Sequence, residues 1–408
     1  MEKVTVEIHK NDKCPICLEP FMEDGQIKKP AGVKSDIIGL VHDACFFPYF
    51  KEEHLKILFQ IRCFSIGDTI ASTPILRELR RLYPRAEIAV LTFFPDLFKY
   101  NQHIQMIFDL NKPIYEHELA PYAFRVDAFD ESKGGHFAMH SLEFSAMSAF
   151  GRSLNQNDWG YEVNYAEDDT KNMLFVLEKH GIDTFDKVVV INPHGTQWET
   201  RDWGIKHGKE LVKRIKEKYP DHKIVSIGGK RAEVPSNQML NYNQIDDCID
   251  LYGKLTLLET ISFLDQDCVK LVITPDTGTL HLAACAKAPI IGIFTLIKSE
   301  FRTPVRNQRL GYKFVGVNAD NPCNCTYTNR FITDEATFER CPKKTFLQKT
   351  LDLKVPKEIK YEGMRNYGGG WIKSNIDNEI KHELKKFDSL PCFPTVEKVL
   401  RVVDVFLD

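Results

Sequence analysis

A chain of 408 residues with 43% hydrophobic and 27% charged side chains is long enough for two domains with sizeable cores and has an ordinary globular composition. Its formal net charge of −3 argues against nucleic acid or an anionic membrane surface as the main partner. No stretch reaches the ~18 consecutive apolar residues of a membrane span, and the opening MEKVTVEIHKNDK lacks an apolar signal core, so a cytoplasmic location is expected. In that setting the eleven cysteines read as reduced thiols or metal ligands, not as a disulfide framework.

Residues 1–52 form a separate unit. Cys14-Pro15-Ile16-Cys17 is followed, about two dozen residues on, by His42-Asp43-Ala44-Cys45. Three thiolates and one imidazole make a closed tetrahedral zinc set, and four protein ligands leave no open position, so the expected zinc is structural. The intervening MEDGQIKKPAGVKSD has the Gly and Pro turns of a hairpin, and ACFFPYFKEEHLKIL reads as a helix. The unit resembles a treble-clef zinc module. A second RING-type ligand set is absent, so ubiquitin-ligase activity does not follow.

From residue 58 the pattern changes to alternating strands and helices. LFQIRCF runs into Ser65-Ile66-Gly67-Asp68, then ASTPILRELRRLYP, whose Ile70, Ile75, Leu76, Leu79 and Leu82 recur at helical spacing. Arg77, Arg80, Arg81 and Arg85 are expected on a solvated face. AEIAVLT, residues 86–92, is the next strand. Asp68 falls at the carboxyl end of a strand, where open α/β sheets keep their sites; as plain structure it would be a helix N-cap. Helices are expected over 137–154 and 170–180, in a region that carries Glu116, Glu118, Asp127, Asp130 and Glu131. A phosphate-rich acceptor would favour Lys and Arg there instead.

A second domain begins near Lys187, with strands at 188–192 and 222–229 and a helix over KHGKELVKRIKEKY. Amphipathic LTLLETISFLDQDC leads into LVITPDTGTLHLAACAKAPIIGIF, residues 271–294. This reads as strand, tight turn, small-residue helix and strand, which aims backbone N–H groups at the mouth of a parallel sheet. The plain alternative is that Asp276 and Thr277 only cap the helix and that His281 is a packed core residue.

Taken in order, these motifs resemble glycosyltransferase family nine, the heptosyltransferases. The first family motif stands as Ser65-Ile66-Gly67-Asp68 followed by Thr73-Pro74-Ile75-Leu76, its helix ending at Tyr83-Pro84, with Asn101-Gln102-His103-Ile104 beyond. Arg201 and Trp203 match a cation two residues before a tryptophan. Gly253-Lys254-Leu255-Thr256-Leu257-Leu258-Glu259 matches Gly-Lys-x-Ser/Thr-Leu-x-Glu. Asp276-Thr277-Gly278-Thr279-Leu280-His281-Leu282-Ala283-Ala284 matches Asp-Ser/Thr-Gly-x-x-His-x-x-Ala.

The resemblance covers residues 56–408 and implies a GT-B architecture: two Rossmann-like domains facing a cleft. The expected divisions are a zinc-binding module at 1–52, an acceptor-side domain at 53–186, a nucleotide-sugar domain at 187–345, and a tail at 346–408 whose helix returns to the N-terminal domain. It implies inverting transfer of a sugar, heptose by family, from an ADP-heptose-like donor to an acceptor hydroxyl. The acceptor, whether glycan, lipid or protein, stays open. Asp68 would be the general base. Thr196, Arg201, Glu233, Lys254, Asp276, Thr277, Gly278, Thr279 and His281 would bind the donor, with a cation beside the diphosphate to meet the charge that grows on the leaving group. No Asp-x-Asp motif stands near the donor loops, so no catalytic divalent metal is expected. Relatives carry cysteines in the tail, which makes Cys323, Cys325, Cys341 and Cys392 candidates for a second metal. The alternatives are the same fold with another nucleotide sugar, or an inactive body that uses its zinc module for partner contact.

Overall fold

The computed structural model describes residues 55–122, 124–128, 140–155, 159–194, 203–229, 245–295, 297–304, 313–319 and 393–408, together with the backbone of strands at 22–23, 26–27, 31–35, 39–42, 361–364 and 371–374. At the N-terminus, β1 (Met22–Glu23) pairs antiparallel with β2 (Gln26–Ile27), and β3 (Ala31–Ser35) with β4 (Gly39–His42). Two short hairpins thus stand where one was expected, and His42 ends β4. Cys14, Cys17 and Cys45 lie outside the described residues.

By its contacts the chain divides into one unit of Met1–Phe64 with Ile75–Phe129 and another of Ser65–Pro74 with Asp130–Asp408. β5 (Lys56–Ile61) of the first unit leads along the chain into α1 (Ile66–Ala71), which belongs to the second; α2 (Thr73–Leu82) then returns the chain to the first unit, followed by β6 (Glu87–Thr92), β7 (Met106–Asp109), α3 (Glu116–Leu119) and β8 (Phe124–Asp127). The four strands are parallel in the order β7-β6-β5-β8. β5 and β6 bury every residue but the first, as their unbroken apolar runs require. Leu58, Ala89, Leu91 and Tyr122 form a core on which Phe108, Leu110, Ile114 and Leu119 pack.

Two expectations need correction here. The single helix predicted from Ala71 is divided at Ser72. The Ser72 and Thr73 hydroxyls donate to the carbonyls of Thr69 and Ile70, both at 2.7 Å, and compete with helical pairing. Pro74, which has no N–H to give, sits in the first turn of α2. Arg80 is not a merely solvated charge. Its guanidinium donates to the carbonyls of His103, Tyr83, Pro84 and Ala86 and to Gln105 Oε1 at 2.8–3.4 Å, tying α2 to the loops on either side of β6.

In the second unit, α4 (Ser141–Phe150) and α5 (Glu167–Lys179) precede β9 (Lys187–Ile191), α6 (Ile205–Lys218), β10 (His222–Ser226), β11 (Ile249–Asp250), α7 (Leu257–Leu264), β12 (Val269–Pro275), α8 (Gly278–Ala284), β13 (Ile290–Phe294), α9 (Ser299–Arg302) and β14 (Phe314–Asn318). Six parallel strands run in the order β11-β10-β9-β12-β13-β14. Numbered from β9, this is 3-2-1-4-5-6, the Rossmann order, and it places the topological switch between β9 and β12. β15 (Tyr361–Met364) and β16 (Trp371–Ser374) form a separate antiparallel hairpin.

The last helix, α10 (Val396–Leu407), packs on α6 and on β12, β13 and β14 of this second unit, where the sequence sent it back to the N-terminal domain. Its apolar stripe explains the difference. Val396, Val399, Leu400 and Val403 enter one core with Trp203, Leu211, Ile215, Ile273 and Ile291. Trp203 is fully buried and its Nε1 donates to the Pro394 carbonyl at 2.7 Å, which fixes the entry to the helix. Among the described residues no helix is long and apolar enough to cross a membrane.

Candidate active site

The switch point of the six-stranded sheet lies beyond the carboxyl ends of β9 and β12. The chain leaves β9 at Asn192 and leaves β12 through Asp276-Thr277-Gly278 into α8. Asn192 is buried, and its Nδ2 donates to Thr279 Oγ1 at 2.7 Å. Its Oδ1 accepts from the His194 N–H at 3.2 Å and from the Tyr252 hydroxyl at 2.8 Å. Tyr252 arrives from the turn after β11 and lies against Gly228, where a Cβ would come within 2.1 Å of its ring. Only glycine admits that ring, which accounts for the first glycine of the pair after β10.

Helix α1 stands against this turn. A Cβ on Gly67 would approach His281 Cδ2 to 2.7 Å, and one on Gly278 would approach Ile66 Cβ to 3.1 Å. The glycines of two motifs some two hundred residues apart are therefore what let α1 and α8 touch. Ser65 caps α1, its Oγ accepting the Asp68 N–H at 3.3 Å. Asp68 is thus a first-turn residue and not the N-cap itself, and its side chain is half-buried.

His281 joins these pieces. It is 7% exposed, its Nδ1 lies 3.3 Å from the Tyr161 hydroxyl, and its Nε2 lies 3.9 Å from Asp276 Oδ1. Tyr161 stacks on the imidazole with centroids 5.7 Å apart. Burial drives the Tyr161 phenol well above its usual range, and the carboxylates of Asp68 and Asp276 add to the shift, so it stays protonated. The segment carrying it is tied to the α1–α2 junction, because the Glu162 N–H donates to Thr73 Oγ1 at 3.0 Å. Nearby, His140 Nδ1 accepts the Leu142 N–H at 3.2 Å and its Nε2 lies 2.9 Å from the Thr303 carbonyl. Burial lowers the His140 pKa, which holds the ring neutral, and Trp159 stacks on it at 4.9 Å.

The expected residues divide as follows. Asp68, Asp276, Thr277, Gly278, Thr279 and His281 lie on α1 and on the turn and helix packed against it. The alternative in which Thr277 caps α8 through its side chain is not what is seen. Thr277 occupies the N-cap position without a side-chain bond to the helix, and its Oγ1 lies 3.2 Å from Thr274 Oγ1. Lys254 is exposed in the turn after β11, with no hydrogen bond or ion pair joining its side chain to the described residues. Thr256 and Glu259 of the same motif form a capping box on α7, with bonds of 2.8 and 3.2 Å. Thr196, Arg201 and Glu233 lie outside the described residues, as do Cys323, Cys325, Cys341 and Cys392. Among the described residues no cluster of His, Cys, Asp and Glu is arranged to hold a metal ion. Asn192, Tyr161, Tyr252 and His140 were not singled out by sequence. Each is a lone polar or aromatic residue in a loop, with a partner 60 to 163 residues away along the chain.

What the geometry offers is a strand–turn–helix unit at the switch point of a Rossmann sheet, with the helix that carries Asp68 packed beside it. Residues 144–324 match the family model described as glycosyltransferase family 9 (heptosyltransferase). Among solved structures, the fold resembles the glycosyl transferase family 9 protein from Veillonella parvula, with 13% identity, a TM-score of 0.50, and coverage of 66% of this chain and 88% of that one. E. coli ADP-heptose LPS heptosyltransferase II aligns at 16% identity over 72% of this chain and 98% of its own, with a TM-score of 0.47. The iron-containing dodecameric glycosyltransferase TibC from enterotoxigenic E. coli aligns at 15% identity over 59% and 57%, with a TM-score of 0.42. No curated protein matches the chain by sequence. Family match and fold together support a glycosyltransferase.

Proposed function

We propose that this protein transfers a sugar, with inversion, from an ADP-heptose-like nucleotide-diphosphate donor to an acceptor hydroxyl. The observation that most supports the reading is the packing of α1 on α8, in which Gly67 meets His281 and Gly278 meets Ile66. It gathers the Asp68 helix and the Asp276–Thr279 turn into one neighbourhood. In this reading Asp68 takes the proton from the acceptor hydroxyl as it attacks the anomeric carbon. The glycosidic bond to the diphosphate breaks on the opposite face, and the leaving nucleoside diphosphate carries the negative charge away. Arg201, Thr196 and the backbone N–H groups of Thr277, Gly278 and Thr279 stabilise that charge, with Lys254 and Glu233 as further donor contacts. His281 and Asp276 shape the turn and take no part in proton transfer.

Donor turnover by wild type and by Asp68→Ala tests the assignment. Loss of a general base costs on the order of a hundredfold or more in rate, with donor affinity retained. Equal turnover in the two proteins removes Asp68 from the base role.

The N-terminal module is proposed to hold one structural zinc through Cys14, Cys17, His42 and Cys45. Strand pairing between the two ligand pairs, with His42 closing β4, supports this. Elemental analysis of the purified chain is expected to find about one zinc per monomer, lost in Cys14→Ser while the transferase body stays folded. An absence of zinc in the wild type ends the proposal.

A further inference from the structure

We infer that Tyr252 and Asn192 are positioning residues that set the direction of the Thr279 hydroxyl, so that its proton is donated to an anionic oxygen of a nucleoside diphosphate. The inference rests on the donor-binding reading of this turn and assigns two residues that neither the sequence motifs nor the family match picks out.

The argument is one of donor and acceptor counting. Asn192 Oδ1 receives the His194 backbone N–H at 3.2 Å, and a backbone N–H can only donate. That bond fixes which end of the amide is the oxygen. The Tyr252 hydroxyl, 2.8 Å from the same oxygen, must then be a donor too. The other end of the amide is left as NH₂, and it faces Thr279 Oγ1 at 2.7 Å. An NH₂ group cannot accept, so the threonine oxygen is the acceptor and its own proton must point elsewhere. Thr279 is 8% exposed, and among the described residues this is the one hydrogen bond its side chain makes. A nearly buried hydroxyl therefore holds a donor proton with no acceptor among the described residues, and buried polar groups are rarely left so. The complement is an acceptor-only ligand atom. Phosphate oxygens fit that description, and their charge strengthens the bond; a ligand ammonium could only donate.

The construction around the relay agrees with a fixed polarity. Gly228 makes room for the Tyr252 ring, the Gly253 N–H donates to the Gly228 carbonyl at 2.9 Å, and the Tyr252 N–H donates to Asp250 Oδ1 at 3.0 Å. Three chain crossings, after β9, β11 and β12, thus contribute one residue each to a single directed chain of hydrogen bonds that ends at the turn. A network that served only to staple these loops would not require a direction.

Titration calorimetry on the full chain with ADP, with UDP in case the base differs, and with adenosine and uridine as diphosphate-free controls, tests the relay. Thr279→Val removes the hydroxyl and is expected to weaken nucleoside-diphosphate binding about tenfold, the worth of one hydrogen bond to a charged group. Nucleoside binding is expected to be unchanged. Thr279→Ser should restore the affinity. Tyr252→Phe and Asn192→Ala should each weaken the diphosphate complex, and Asn192→Ala combined with Thr279→Val should be no worse than Thr279→Val alone. Melting of the ligand-free variants identifies any that do not fold; Thr279→Val against Thr279→Ser decides the matter alone. Variants that bind within about twofold of wild type, or losses that simply add in the double variant, overturn the relay and leave the donor reading standing. Wild type that binds neither diphosphate overturns both.

Discussion

The two parallel sheets close their switch points with opposite chemistry. In the four-stranded sheet, Arg62, one residue past the end of β5, reaches across to Asp127 at the end of β8 at 2.8 Å. In the six-stranded sheet, Asn192, one residue past the end of β9, reaches across to Thr279 beyond β12 at 2.7 Å. The positions correspond, first strand to fourth in each order. The environments do not: the Arg62 side chain is 60% exposed, whereas Asn192 is 6% exposed. A pair of full charges in water rearranges easily and orients little. A neutral amide held by two donors in a dry setting keeps its dipole fixed before any ligand arrives, which is the condition for preorganised binding of a charged group. The proposed anion site accordingly sits on the sheet whose crossing is buried and fixed, while the first sheet presents an exposed ion pair, with the Phe64 ring 5.3 Å from both Phe93 and Phe94 nearby in the chain.

The contrast can be broken most forcefully at Gly67. A methyl group there meets the His281 ring at 2.7 Å, so either α1 or the imidazole must shift. Overpacking of this kind costs about 1–3 kcal/mol, read as a lowered denaturation midpoint, and turnover should fall with it. Gly229→Ala is the matched control, since nothing among the described residues lies within 4 Å of its Cβ position; its midpoint should stay at the wild-type value. Equal stability of the two variants would mean that the α1–α8 packing is not what holds the site together.

Much of this was legible in the chain, and the reasons are specific. Val188–Asn192, Leu271–Thr274 and Pro289–Phe294 are short apolar β-branched runs, and they became β9, β12 and β13 with ends shifted by a residue or two. The glycines at 67 and 278 were visible as turn formers, but their contact across the unit was not, because no local pattern reports on a partner some two hundred residues away. The division of the helix at Ser72 rests on two hydroxyls that also fit a helix interior. Arg80 looked like any charge on an amphipathic helix, and its clamp on five acceptors exists only once β6 and the 103–105 loop are in place. The stripe on α10 was readable as amphipathic, while the surface it would cover was not. Asn192, Tyr161 and Tyr252 carried no signal at all.

A smaller effect is expected from acid. His140 Nδ1 is committed to accepting the Leu142 N–H, so protonation there breaks the cap of α4. Burial lowers the His140 pKa below its unfolded value of about 6.5. Above that value both states are neutral and the group contributes no pH dependence. As pH falls below it the unfolded chain binds a proton first, so stability is lost from about pH 6.5 downward until the folded-state pKa is passed. His207, whose pKa burial also lowers, acts in the same sense. His140→Asn keeps a capping side chain without a titrating ring and should reduce the slope of stability against pH between 6.5 and 5 by up to about one proton. An unchanged slope in that variant would remove His140 from the acid response.

The smallest change is expected at the other end of the comparison. Arg62→Ala deletes an ion pair whose arginine is 60% exposed, and such pairs contribute between 0 and about 1 kcal/mol. What little it contributes should be screened, so the difference from wild type should shrink further as salt is raised toward 1 M. Asn192→Ala makes the same kind of deletion in the second sheet, but it leaves the Tyr252 hydroxyl and the His194 N–H without their acceptor, which costs about 1–3 kcal/mol and is insensitive to salt. Denaturant melts of both variants at low and high salt separate the two. If Arg62→Ala proved as costly as Asn192→Ala, and equally indifferent to salt, the first switch point would be as fixed as the second, and the case for placing the anion site in one sheet alone would fail.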